Sequence, residues 1–170
     1  LVYVPELGDG TSFLFAVSTN PAHPYIPPAK SEFKYNNVSP TGKDADKYVV
    51  WYVPAKNGEP LVPYEEATPL DVTIEQAEVT VHAKDYTGTY DAEEHGITVT
   101  VKGLIGEDQA TVKYSEGSEE PSTDPILKKD AGEYTINYNV TLPAREGSEE
   151  SNYKFKNDEQ ASGSAEIDID

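Results

Sequence analysis

Residues 128–140 read KKDAGEYTINYNV, and residues 42–54 read GKDADKYVVWYVP. Both stretches contain the phrase D-A-x-x-Y, and in both the phrase opens a run in which large side chains alternate. Alternation with a period of two predicts a β-strand. With Asp44 set on Asp130, an offset of 86 residues, the match continues without a gap: Tyr48 falls on Tyr134, Val50 on Ile136 and Tyr52 on Tyr138.

The similarity extends beyond this strand. ATPLDVTI at 67–74 resembles ASGSAEIDI at 161–169, with Val72 and Ile74 meeting Ile167 and Ile169 at an offset of 95. More loosely, residues 1–17 line up with residues 97–114. Self-similarity of this kind, with length changes confined to turn-rich stretches, predicts two copies of one domain with variable surface loops.

A change in the phase of alternation places the boundary between the copies. Val72 and Ile74 have even parity, whereas Ala77 and Val79 have odd parity, so one strand cannot bury both pairs on the same face. We therefore place the joint at Glu75-Gln76, which predicts domains at 1–75 and 76–170. A joint this short, without Gly or Pro, predicts a stiff, elongated pair. Residues 77–96 have no counterpart before Leu1, so the first domain is either truncated at its start or built with fewer strands.

Composition points to an all-β protein. The 170 residues include 12 Tyr, 13 Pro and 12 Gly, and no apolar stripe with helical spacing is sustained. We expect almost no helix, and the turn-like stretches include DYTG at 85–88. In the first domain we expect strands near the following ranges: 2–4, 12–18, 32–36, 46–54, 60–64 and 70–75.

The absence of cysteine excludes disulfides and thiolate metal sites. The sequence has no run of 18 apolar residues, which predicts no membrane insertion. Because Leu1 stands where an initiator Met would be, we expect a processed or excised soluble piece.

The charge is strongly acidic, with a net value of −18. Such a field repels phosphates and anionic lipids, which predicts no nucleic-acid partner. The sequence GSEE occurs at 117–120 and again at 147–150, and we interpret both as solvated loops. Calcium binding is the alternative, although the spacing of a calcium loop is missing.

The D-A-x-x-Y phrase has a structural interpretation. In immunoglobulin-like (Ig-like) sandwiches, a tyrosine near the start of strand F hydrogen-bonds to backbone a few residues upstream and forms a tyrosine corner. D-A-G-E-Y-T-I resembles the corresponding D-x-G-x-Y-x-C pattern, with Ile136 in the cysteine position. We therefore predict two tandem Ig-like β-sandwich domains without disulfides, each pinned by one tyrosine.

The second copy also resembles a particular family. VTVHAKD at 79–85, TYDAEEHGITV at 89–99, DAGEY at 130–134 and SAEIDI at 164–169 look like the MBG-type and related Y-D-G repeats of bacterial surface proteins. Here Tyr90-Asp91-Ala92 replaces Y-D-G, which affects the expected turn geometry. The resemblance implies an all-β module, repeated in exported, cell-wall-associated or adhesin-like proteins, and it brings no catalytic residues with it.

The first copy has an apolar face where the second has a polar one. In the second copy Tyr134, Ile136 and Tyr138 alternate with polar residues, so we expect them to face inward. In the first copy Tyr48, Val50 and Tyr52 form the expected inner set, but the outer set includes Val49, Trp51 and Val53.

We expect something to cover this outer stripe. Our first hypothesis is that the loop NPAHPYIPPAKSEF at 20–33 folds over Trp51. A neighbouring domain or partner molecule is the second. The third is a glycan stacked on Trp51, which makes this residue our candidate binding residue.

No catalytic constellation is visible. His23, His82 and His95 lie far apart without metal-ligand spacing, and G-x-S-x-G, P-loop and G-x-G-x-x-G motifs are absent. We predict no enzyme activity, no cofactor and no transition metal. An intramolecular Lys–Asn isopeptide crosslink stays open, because it needs three side chains buried together.

These observations lead to one functional expectation and one alternative. We expect a non-catalytic, monomeric stalk or spacer of an extracellular bacterial surface or cell-wall protein, flanked by neighbouring repeat domains of the same polypeptide. The alternative is an adhesin-type module whose first domain recognises a host glycan or protein through Trp51 and the 20–40 loop.

Overall fold

A computed structural model describes residues 10–19, 25–36, 40–157 and 161–170. The described residues form β-strands and two short 3-10 helices, Lys30–Glu32 and Tyr64–Glu66. No α-helix occurs in these ranges, so the prediction of an all-β protein is confirmed. The expected strand at 2–4 lies outside the described residues. No helix of the described chain is long and apolar enough to span a membrane.

The chain divides into two compact units, Leu1–Glu75 and Gln76–Asp170. The first unit contains one antiparallel sheet in which β1 lies between β2 and β3, while β4 and β5 both pair with β3. Its strands are β1 (Thr11–Thr19), β2 (Tyr35–Asn36), β3 (Asp46–Lys56), β4 (Glu59–Pro60) and β5 (Thr68–Ile74). The expected strand at 60–64 is wrong beyond Pro60: Pro63, which has no N–H for a sheet, precedes a 3-10 turn.

The second unit contains two sheets. A four-stranded sheet has the order β7-β12-β10-β9, and a three-stranded sheet has the order β11-β6-β8. The strands are β6 (Ala77–Lys84), β7 (Tyr86–Gly88), β8 (Thr98–Lys102), β9 (Thr111–Glu116), β10 (Gly132–Thr141), β11 (Tyr153–Phe155) and β12 (Ser162–Ile169). Two pairings are parallel, β7 with β12 and β11 with β6, and the others are antiparallel.

The strand register of the two units agrees with the sequence alignment. Tyr48 of β3 lies opposite Val72 of β5, and Tyr134 of β10 lies opposite Ile167 of β12. These are the residues that the offsets of 86 and 95 equate. The units therefore share a three-strand motif, β1-β3-β5 in the first and β9-β10-β12 in the second.

Both predicted tyrosine bonds are present. The Tyr48 hydroxyl donates to the backbone oxygen of Asp44 at 2.8 Å, and the Tyr134 hydroxyl donates to that of Asp130 at 3.1 Å. Each bond spans four residues and closes the turn that leads into the strand. Each ring also lies over a glycine, Gly42 or Gly132, where the built Cβ of another residue would stand within 3.3 Å of the ring. A small residue at these positions lets the ring pack flat on the backbone.

The core of the second unit lies between its two sheets. Ile136 of β10 and Ile167 of β12 are fully buried, and Val99 of β8 packs against them from the three-stranded sheet. The inward set predicted for β10 is therefore confirmed for Ile136, with Tyr134 and Tyr138 at the edge of the same cluster.

The core of the first unit lies on the face that we expected to be the outer one. Val49, Trp51, Val53 and Ala55 of β3 are buried in one cluster, together with Leu14 and Ala16 of β1. The assignment of Tyr48, Val50 and Tyr52 as the inner set is wrong for this cluster, because these residues point to the opposite side of the sheet. The described strands of this unit form a single sheet rather than the two of a sandwich.

One residue carries the chain from one sheet of the second unit to the other. Asp85 separates β6, in the three-stranded sheet, from β7, in the four-stranded sheet. Its Oδ1 accepts a hydrogen bond from the backbone N–H of Glu166 at 2.9 Å, which fixes the crossing to β12. The interpretation of DYTG as a turn is wrong, because this stretch contains the strand β7.

The Tyr90-Asp91-Ala92 turn has the geometry of its glycine-containing counterpart. Ala92 adopts φ 66°, the left-handed region that favours glycine. Asp91 Oδ1 accepts from the backbone N–H of Glu93 and contacts His95 Nε2, both at 2.9 Å. These two bonds hold the turn in place around a strained alanine.

Removing the tyrosine hydroxyls should weaken the units without disturbing their packing. We expect Tyr48→Phe to lower the free energy of unfolding by about 1 kcal/mol, since the ring stays and one part-buried hydrogen bond is lost. Tyr134→Phe should cost less, because its bond is longer and exposed. Urea unfolding followed by Trp51 emission reports on the first unit and circular dichroism on the whole chain. Tyr90→Phe is the control, and an equal loss there would contradict the assignment.

Relieving the strain at Ala92 should stabilise the second unit. Ala92→Gly is expected to raise the free energy of unfolding by about 0.5–1 kcal/mol, since the left-handed penalty exceeds the added chain entropy of glycine. Ala83→Gly, in the strand β6, should lower it. Thermal unfolding of the three proteins checks the signs, and a loss of stability in Ala92→Gly would show that the turn is not strained.

Candidate functional site

Trp51, the candidate binding residue, lies at the centre of the first unit's core. Its side chain is 1% exposed, and the indole Nε1–H donates to Ser18 Oγ at 3.3 Å. Aliphatic residues of β1 and β3 surround the ring within the sheet. In this arrangement a ligand has no open face of the indole on which to stack.

The loop after β1 supplies the layer above this core. Tyr25 meets Trp51 edge to face, with ring centroids 6.1 Å apart and an interplanar angle of 76°. Phe33 packs against Tyr64 at 4.7 Å, and both lie against the cluster. The covering-loop hypothesis is thus confirmed for residues 25–33, whereas residues 20–24 lie outside the described part.

A hydrogen bond ties this loop to the last strand of the sheet. The Tyr25 hydroxyl donates to Asp71 Oδ1 at 2.6 Å. That hydrogen bond to the carboxylate, with smaller contributions from desolvation and from the charge of Asp71, raises the pKa of Tyr25 above its ordinary value. The loop is therefore held at two points, by an aromatic contact to Trp51 and by a polar contact to β5.

The opposite face of the same sheet carries a groove of about 250 Å³. Its lining is mostly apolar and comes from β1, β3, β5 and the segment before the tyrosine corner: Val17, Pro40, Thr41, Gly42, Tyr48, Val50, Val72 and Ile74. Val17 and Leu70, which flank Val50 in the register, are 36% and 40% exposed. An exposed apolar row beside a groove is typical of an interaction surface.

The histidines do not assemble a metal site. His95 stacks on Tyr86 at 4.1 Å and contacts Asp91, whose carboxyl pKa this hydrogen bond lowers. His82 is an exposed residue of β6, and His23 lies outside the described residues. Within the described ranges, no group of three or more potential metal ligands converges.

The acidic segments lie at the surface. Both GSEE stretches, 117–120 and 147–150, are exposed throughout. On β10 and β12, Glu133 lies opposite Asp168, next to Glu166, so these strands present an acidic outer face. Like charges on paired strands repel each other, and their exposure to water reduces this cost.

The described residues contain no buried charged or amide side chain. Lys128 pairs with Glu116 and lies over the Tyr134 ring at 4.8 Å, but its side chain is partly exposed. Tyr153 is buried, and its hydroxyl donates to Asp108 Oδ2 at 2.6 Å and accepts from the N–H of Ile105, which fixes the loop after β8. These polar contacts stabilise loops, and none of them presents a reactive group in a cleft.

Comparison with known proteins assigns no family: no protein-family model matches the chain, and neither a curated protein nor a solved structure is significantly similar to it. The geometry of the chain itself is therefore the basis for a functional assignment.

The sequence analysis missed the groove and selected the buried face instead. The signals were present in Gly42, just before D-A-x-x-Y, and in the apolar residues on both faces of β3. Which face is open depends on the loop 25–33, whose path the alternation pattern does not contain.

The packing around Trp51 can be tested by quenching. We expect blue-shifted Trp51 emission that acrylamide quenches weakly, and Tyr25→Ala should increase quenching, because it removes the edge-to-face cover. Tyr90→Ala, at an exposed tyrosine of the second unit, is the matched control. Trp51→Ala should cost about 3–5 kcal/mol of unfolding free energy, so an unchanged melting temperature would contradict the buried packing.

Proposed function

We propose that the protein is a non-catalytic structural module of an extracellular bacterial surface protein, built from two Ig-like domains that act as a stalk or spacer. The observation that carries this proposal is the repetition of one pinned strand: Tyr48 and Tyr134 make the same bond to the carbonyl four residues upstream, in strands of the same register. Duplicated β-modules of this kind suit proteins that need length rather than a cleft.

Strand order in the second unit supports the Ig-like part of the proposal. The neighbours β9, β10 and β12 correspond to strands C, F and G, with the corner tyrosine on F. One feature departs from that pattern. The first strand, β6, lies between β8 and β11, whereas the first strand of an Ig domain lies beside the second at the sheet's edge.

The surface chemistry supports an extracellular, non-enzymatic role. The net charge of −18 and the exposed acidic loops favour a hydrated module that stays apart from its neighbours. Stability without cysteine suits a setting in which the module does not depend on disulfide formation. No charged or amide side chain of the described residues is buried in a cleft, as a catalytic acid or base would be.

Labelling of intact cells tests the setting. An antibody raised against the 170-residue chain should label non-permeabilised cells of the producing organism, and external protease should remove the signal. A cytosolic protein serves as the control for lysis. Labelling that needs permeabilisation would contradict the surface assignment, and turnover in a broad hydrolase screen, lost on denaturation, would contradict the non-catalytic assignment.

A second candidate function is recognition of a glycan or protein by the first unit. The observation that favours it is the groove beside Tyr48, rather than the buried Trp51. A glycan array and a display library of host peptides, screened with the full chain and with Val17→Asp, distinguish the two functions. Binding that Val17→Asp abolishes supports recognition through this face, and binding that survives it places recognition elsewhere.

A further inference from the structure

The open groove of the first unit corresponds to a filled position in the second. In the second unit the edge of β12 pairs in parallel with β7, through Ile167 with Tyr86, and Ile169 with Gly88. Tyr86 packs against the buried cluster that contains both isoleucines. The structure thus contains one worked example of how this edge is completed.

In the first unit the equivalent edge is open. Val72 and Ile74 of β5 occupy the positions of Ile167 and Ile169, and both line the groove. Among the described residues β5 pairs with β3 alone, so its other edge has no strand beside it. An edge strand with free N–H and C=O groups accepts an added strand, and a groove for alternate side chains gives specificity.

From this correspondence we infer that the β5 edge and its groove form a strand-accepting site for an extended peptide. The peptide would add parallel to β5, as β7 does to β12, and would place an aromatic side chain between Val72 and Tyr48. Small residues would follow the aromatic one, as Thr87 and Gly88 follow Tyr86.

Charge narrows the class of peptide. In the second unit, Asp85 precedes the aromatic residue and binds the backbone N–H of Glu166. The position equivalent to Glu166 is Asp71, an exposed carboxylate on the outer part of β5. An acidic residue there would face like charge on a chain whose net charge is already −18. The favoured occupant is therefore neutral or basic before its aromatic residue, and the same charge disfavours a second copy of this acidic chain.

This inference rests on the geometry of the first unit and does not require the stalk proposal. The two can fail separately, because cell labelling tests the setting and peptide binding tests the groove.

The probe is a fluorescein-labelled peptide with the sequence of residues 83–90, AKDYTGTY. We expect saturable binding to the full chain by fluorescence anisotropy. The substitution Asp85→Asn in the peptide, which keeps the acceptor and removes the charge, should tighten binding about three- to tenfold. The substitution Tyr86→Ala should weaken it at least about tenfold, because the aromatic anchor is lost.

Variants of the protein locate the site. Val17→Asp places a charge in the groove and should weaken binding at least about tenfold. Ile26→Asp is the matched control: Ile26 is 79% exposed and does not line the groove, so binding should be unchanged. Trp51 lies on the opposite face of the sheet, and its unchanged emission shows that a variant has folded. A second variant, Thr41→Asp, tests the groove from its loop side if Val17→Asp unfolds.

Three results would overturn the inference. The first is absence of binding by both the unsubstituted peptide and its Asp85→Asn form. The second is binding only to a variant that starts at Gly10, which would mean that the chain fills its own groove. The third is a concentration-dependent dimer, detected by sedimentation, that Val17→Asp dissociates, which would make a second copy the occupant.

Discussion

The hydrogen bond from a tyrosine hydroxyl to the carbonyl four residues upstream fixes where each central strand begins. At Tyr48 and Tyr134 this bond closes the loop that precedes the strand, and the ring rests on a glycine in the same loop. A strand that starts at a defined residue also has a defined parity, which decides the face that each later side chain occupies. Trp51 and Ile136 are buried on different faces, but both positions follow from the same kind of strand entry.

The two units cover the same three-strand motif in different ways. In the second unit a separate sheet supplies Val99, and β7 completes the edge of β12. In the first unit the aromatic residues of 25–33 cover the other face, around Trp51. Covering one face by a loop leaves the Tyr48 face with its groove. The duplication therefore produced two modules with one framework and different exposed surfaces, which is how a repeated fold acquires distinct sites.

The sequence was sufficient for the central strands and insufficient for their surroundings. Alternation and D-A-x-x-Y predicted β3 and β10, and the second offset predicted their register with β5 and β12, because these features are encoded locally. The buried face of β3 could not be predicted, since Val50 and Trp51 are both apolar and parity then carries no information. The strand β7 was missed because three residues after a one-residue crossing look like a turn. The groove was missed because it depends on which strands pair with β5, a long-range property.

The crossing at Asp85 has a mechanical consequence. It brings β7, from the beginning of the second unit, into parallel contact with β12, from its end. Parallel strands point the same way, so tension applied to the two ends of this unit pulls them in opposite directions along their length. The hydrogen bonds between Tyr86–Gly88 and Ile167–Ile169 are then loaded together in shear instead of opening one after another. A domain joined in this way resists extension better than a hairpin of the same length, which unzips from one end.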